Sequence, residues 1–161
     1  MNLYAVSIPG VTPSSFITWF QALAVARNAG KRLPFNQEWQ AAAFGTPDGA
    51  PCVVGALGPG LTGTPACVSN LGVFDAVGNL FEWVANWAPI TTSFSPWPGP
   101  SFGQDLMGYD NAGAGPLARG PAPLLRGGDF NDPIPNNGVF SVQAALLPDF
   151  SNNDIGFRAA R

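Results

Sequence analysis

Leu124-Leu125-Arg126-Gly127-Gly128-Asp129-Phe130-Asn131-Asp132 and, further on, Ile155-Gly156-Phe157-Arg158-Ala159-Ala160-Arg161 are the stretches on which the reading of this chain turns. Each end has the same grammar, with apolar residues, Gly and Arg in close succession. Between them lies a segment of mixed polar, apolar and Asn-rich positions. That contrast separates a scaffold from a surface. Leu124-Leu125-Arg126 and Val139 to Val142 read as short buried strands, and Ile155 to Ala160 as a closing one.

Outward from there, the 161 residues read as one domain over 1–161, long enough to bury a core. Apolar residues make up 46% and charged ones 11%, which argues against disorder in spite of 20 Gly and 17 Pro. Those Gly and Pro predict loops from Gly45 to Asn70 and from Trp87 to Pro123. The seven basic residues are scattered and the net charge is -3, so nothing is arranged to neutralise a run of phosphates, and nucleic acid is excluded as a partner. No apolar run reaches membrane-spanning length, and no charged region followed by an apolar core opens the chain. A cytoplasmic or phage- or virion-associated location is therefore expected in preference to secretion.

The chain has no histidine. Imidazole sites for zinc, copper or facial-triad iron are thereby removed, together with Ser-His and Cys-His nucleophile pairs. Carboxylate chemistry is left to Glu38, Glu82 and eight Asp (ten acidic residues less the two Glu). Cys52 and Cys67 enclose a Gly- and Pro-rich loop. They are either a redox or metal-binding thiol pair or a loop staple. Two thiolates are too few for a closed zinc site, and the preferred reading is a disulfide worth roughly 3 kcal/mol.

Leu3 to Ile8 has the partial alternation of an edge strand. Thr12-Pro13 reads as an N-cap followed by a first-turn proline, with Phe16, Trp19, Phe20, Leu23 and Ala26 on the buried face of a helix stopped by Gly30. A second helix runs from about Asn36, its cap, to Phe44, with Trp39, Ala42 and Ala43 turned inward. Gly78-Asn79 is a turn ahead of an apolar strand.

In order along the chain, these pieces resemble formylglycine-generating-enzyme-type domains. Gly30-Lys31-Arg32-Leu33-Pro34 with Glu38-Trp39 resembles the opening signature of that family. Val73-Phe74-Asp75, Val77-Gly78-Asn79 and Glu82-Trp83 resemble the central one. Arg126-Gly127-Gly128 and Ile155-Gly156-Phe157-Arg158 resemble the closing ones. The resemblance implies an α+β, C-type-lectin-like fold: two helices packed on a small, twisted, mostly antiparallel sheet with long loops. It assigns structural roles to Trp39, Asp75, Asn79, Glu82, Trp83, Arg126, Phe157 and Arg158. Phe35 departs from the pattern, standing where the family usually has a Thr helix cap. The family's oxidases place two copper-binding cysteines after the Gly-Gly motif, and Phe130 to Gln143 contains none. The related iron-dependent sulfoxide synthases need histidines. Catalysis is therefore not expected.

The segment between the last two motifs is similar to that of variable proteins from prokaryotic and phage diversity-generating retroelements, which are associated with a reverse transcriptase. In that branch, diversification acts on adenines, chiefly in Asn codons. The resemblance implies a variable ligand-binding region over 126–158, with Asp129, Asn131, Asp132, Ile134, Gln143, Ala145, Leu146, Phe150 and Asn152 displayed to solvent. Gln143 sits at a comparable position, although an Asn codon ending in a pyrimidine cannot reach Gln. The short run from Met1 to the first helix reads as a lectin-like core taken from a longer chain.

The function expected is non-catalytic binding of an unknown protein or surface ligand through this region, with no cofactor. Asp75, Asn79 and Glu82 could alternatively offer oxygens to calcium, and Arg126 and Arg158 could hold an anion. Two other functions compete: an oxidase with a non-standard site, and a structural or virion module on the same fold.

Overall fold

The computed structural model describes residues 8–99, 101, 103–109, 120–133 and 136–161. Two helices, α1 (Trp19–Asn28) and α2 (Asn36–Ala43), precede six strands. The strands are β1 (Phe81–Pro89), β2 (Ser93–Pro96), β3 (Leu106–Tyr109), β4 (Pro121–Gly127), β5 (Gly138–Gln143) and β6 (Ile155–Phe157). They form one sheet in the order β2-β3-β5-β4-β1-β6. The β1–β4, β4–β5 and β2–β3 pairings are antiparallel, whereas β1–β6 and β3–β5 are parallel. The sheet is thus mixed, with antiparallel pairings in the majority.

β1 is the axis of the core. Its first four residues are buried, as expected of a strand covered on both faces. Alternation along the strand sends Phe81 and Trp83 to one side, where they pack with Trp19, Ala22 and Ala26 of α1 and with Leu125, Ile155 and Phe157. Val84 goes to the other side with Trp39 and Ala43 of α2, the Cys52–Cys67 disulfide, Val77 and Val139. The indole N–H groups stitch these layers: Trp83 donates to the Ile17 carbonyl at 3.0 Å and Trp19 to that of Val84 at 2.8 Å.

Several boundaries differ from those expected. α1 starts at Trp19 rather than after Thr12-Pro13, because Thr18 and Gln21 form a reciprocal capping box. Just upstream, Phe16 sits at φ 54° and is 64% exposed, so it belongs to no helix. Phe20, expected in the core, is 54% exposed and leans edge-on against Trp19. The stop at Gly30 is a Schellman motif, with Gly30 N–H bonded to the Arg27 carbonyl and Lys31 N–H to that of Ala26.

Asn36 is not the cap of α2 but its first helical residue. Phe35 has no side-chain acceptor; the Glu38 carboxylate accepts the Phe35 N–H at 2.8 Å, and Asn86 accepts the Asn36 N–H at 2.7 Å. Arg32 clasps the same carboxylate at 2.6 and 2.7 Å, and these bonds hold Glu38 down at about 2.

The stretch expected to be coil from Trp87 to Pro123 contains the end of β1, all of β2 and β3 and the start of β4. Pro89, Pro96 and Pro121 sit at strand ends, where a missing N–H is tolerated. Of the expected edge strand at Leu3 to Ile8, residues 3–7 lie outside the described residues. Ile8 itself is in no strand.

Candidate ligand-binding surface

The frame of the site is a set of buried polar latches. Glu82 of β1 receives the Trp39 indole N–H at 2.6 Å, and its carboxylate is gripped by the guanidinium of Arg158. Arg158 also reaches the carbonyls of Phe74 and Asp75 at 3.2 and 3.3 Å. Arg126 of β4 stacks on the Trp39 ring at 4.6 Å and donates to the carbonyls of Ser141 and Val139 at 2.7 and 2.9 Å, and to Gln40. Burial lowers its pKa to about 10, offset in part by Asp105. Both arginines therefore tie loops and strands to the frame.

Asp75 and Asn79 shape loops in left-handed backbone, at φ 55° and 59°. The Asp75 carboxylate accepts the Gly63 and Thr64 N–H groups at 2.5 and 3.1 Å, and the Asn79 side chain accepts that of Gly60 at 3.0 Å. N–H donors aimed at these oxygens, and at those of Glu82, present the wrong sign of charge to a calcium ion. No group of three or more metal-ligating side chains comes together among the described residues.

The Gly-Gly pair launches the segment expected to vary. Gly127 and Gly128 take φ of 88° and 83°, and a Cβ on Gly128 would stand 1.8 Å from the side-chain oxygen of Asn137. The next residue was expected at the surface, but Asp129 is only 4% exposed. Its carboxylate accepts the N–H groups of Asn131 and Asp132 at 2.7 and 2.9 Å, so it folds the loop that follows. Burial, and then the nearby Asp132 and Asp154, raise it to about 6.

Beyond this turn the segment is mixed rather than wholly water-facing. Phe130, Asn137, Val139, Ser141 and Ala144 point inward. Asn131 is exposed, while Asp132, Gln143, Ala145 and Asn152 are half-buried. Phe150 is 42% and Leu147 54% exposed. Leu146 is half-buried against the α1 cluster, so it serves core and surface together. Ile134 lies outside the described residues. The irregular loop after β5 is pinned by the Trp19 N–H on the Pro148 carbonyl and the Phe16 N–H on that of Asn152, and at its ends by Thr91 at Ala144 and the Phe81 N–H on the Asp154 carbonyl.

Asp129, Asp132, Gln143, Leu146, Phe150 and Asn152 line a single cavity of about 420 Å³; Asn131 and Ala145 do not. Phe94 of β2, Leu106 of β3, Asn136 and Asp154 are also among its walls. Sequence reasoning missed Phe94 and Leu106, since the segment carrying them reads as coil. Asp154 carried one available signal, its place immediately before the closing Ile-Gly-Phe-Arg motif.

This scaffold, with its latched arginines, double glycine and short mixed sheet, defines a C-type-lectin-like domain. Residues 48–161 match the family described as Sulfatase-modifying factor enzyme 1-like domain, and the chain belongs to it. It is 30% identical to the formylglycine-generating enzyme of Streptomyces coelicolor over 176 residues, covering 92% of this chain and 52% of that one. It is 32% identical to the hercynine oxygenase of Mycolicibacterium thermoresistibile over 170 residues, covering 91% and 33%. The chain thus spans about half the length of the first relative and a third of the second.

Among solved structures, the Major Tropism Determinant M1 variant superposes with a TM-score of 0.61 at 26% identity, over 88% of this chain and 36% of that one. Treponema denticola variable protein 1 gives 0.60 at 18% identity, over 94% and 74%. The fold is thereby that of the variable proteins which the segment between the last two motifs resembles.

Proposed function

We propose that this chain is a non-catalytic ligand-binding protein whose region 126–158 presents exchangeable side chains on a lectin-like scaffold. One observation carries the reading. Six of the nine positions expected to vary converge on one cavity; Asp129 among them also holds the backbone, while the latches Arg126, Gly127, Gly128, Asn137, Glu82 and Arg158 lie outside the set. Side chains there can change without disturbing the latches. Likeness to proteins named as a tropism determinant and a variable protein supports it. The only two cysteines are bonded to each other in the core beneath α2, far along the chain from the segment after the Gly-Gly motif.

The test is a library randomised at Asn131, Asp132, Gln143, Ala145, Phe150 and Asn152. Surface substitutions usually change stability by within ~0.5 kcal/mol each. Most members should therefore melt within several degrees of the parent, and selection against an immobilised protein should return binders. A library that is mostly unfolded would refute the display reading. The names of the sequence relatives favour one rival, an oxidase of the formylglycine-generating type. Copper(I)-dependent oxidation of a cysteine-containing peptide would establish that rival instead.

A further inference from the structure

The cavity beside β5 has a distinctive chemistry. Asp129, Asp132 and Asp154 line it together with Phe94, Leu146 and Phe150, and no Lys or Arg is among its lining residues. Three of the chain's seven cations are engaged elsewhere: Arg126 by carbonyls and Gln40, Arg158 by Glu82, and Arg32 by Glu38. One carboxylate oxygen, Oδ1 of Asp154, is shut off from solvent and accepts no hydrogen bond among the described residues. Phe94 and Phe150, by contrast, leave much of their ring surface open.

We infer that the cavity, as it stands in this copy, receives an arginine side chain presented by a peptide segment of a protein partner, next to an apolar residue. The inference rests on the display reading and names the partner chemistry for the same site.

Charge complementarity selects a cation, and the aromatic and aliphatic walls exclude a fully hydrated one. The acidic side chains do not gather tightly enough to hold a metal ion. A planar guanidinium, with five N–H donors in a fixed fork, spans separated carboxylates and stacks on ring faces, whereas a lysine ammonium is a single compact charge. The apolar walls would take the arginine's methylenes and a neighbouring aliphatic or aromatic side chain.

The probes are two capped peptides, Gly-Leu-Arg-Phe-Gly and the same peptide with citrulline, a neutral near-isostere, in place of arginine. Each is titrated into the 15N-labelled protein. The arginine peptide should give saturable shifts at the amides of Leu146, Phe150 and Asn152. The citrulline peptide should bind about 10- to 100-fold more weakly, as expected on losing hydrogen bonds between charged groups. That difference should vanish in Asp132→Asn/Asp154→Asn. If that variant fails to fold, Asp132→Lys alone, at a half-buried position, should weaken the arginine peptide by at least as much.

Equal affinity for the two peptides would overturn the inference, as would no saturable shift up to about 5 mM peptide. The two readings fail differently. If the randomised library still folds and yields binders, loss of arginine selectivity removes only the ligand assignment. An unfolded library removes the display site itself.

Discussion

Replacing Glu82 by Gln tests whether the latch on β1 holds the scaffold as its geometry implies. The carboxylate faces three N–H donors, from Trp39 Nε1 and from Nε and Nη2 of Arg158, and both members of the ion pair are largely buried. A Gln side chain of the same shape offers one acceptor oxygen and turns an NH2 group toward a donor. Arg158 is then left charged in a pocket that no longer compensates it, which costs about 3 kcal/mol, the low end for breaking a buried pair. For a chain of this size each kcal/mol lowers Tm by roughly 2–4 °C, so thermal unfolding followed by circular dichroism should shift down by about 6–12 °C. Arg158→Met alone should cost about as much, because it strands the carboxylate. The double variant should cost far less than the sum, giving a coupling of about 2 kcal/mol or more. Additivity within about 0.5 kcal/mol would show that Glu82 and Arg158 act independently and would refute the latch.

The disulfide joins residues 15 apart, so reduction, or Cys52→Ser/Cys67→Ser, should lower stability by roughly 3 kcal/mol, read as a fall in Tm with added reductant. Phe150→Ser should cost about 0.5 kcal/mol or less, while Leu146→Ser, against the α1 cluster, should cost about 2 kcal/mol in urea unfolding. Equal losses would place Phe150 in the core. Asp105 and Asp129 are both raised to about 6, by burial above all, against an ordinary value of 3.8. Their raised folded values favour the native state fully below pH 3.8, and that advantage is lost as pH rises through 6. Tm should therefore fall between about pH 4 and 6, less steeply in Asp129→Asn, whose side-chain oxygen still accepts the Asn131 and Asp132 N–H groups. An unchanged slope in that variant would show that Asp129 does not titrate in this range.

The elements legible in the sequence are those whose causes are local. Gly30 ends a helix because it alone relaxes into the left-handed conformation at that point, and Gly78-Asn79 turns the chain for the same reason. The Thr18-x-x-Gln21 capping box is equally local, yet the cap was expected at Thr12-Pro13; the box prevails by satisfying N–H donors at the start of α1. β2 and β3 were hidden because Pro and Gly interrupt them. Their pairing draws on distant partners, β3 finding β5 in parallel across the sheet.

The order of the motifs, and the chemistry of a chain with no histidine and a single pair of cysteines, belong to the sequence itself. They fixed the scaffold class because caps, positive-φ glycines and arginine latches depend on residue type at short range. Which side chains meet around the cavity was decided by tertiary packing. Phe94, Leu106 and Asp154 join the segment after the double glycine only once the sheet assembles, and the same assembly draws Asp129 inward while leaving Phe150 at the rim. Burial at such positions is set by neighbours far apart in the chain, a relation that no local pattern encodes.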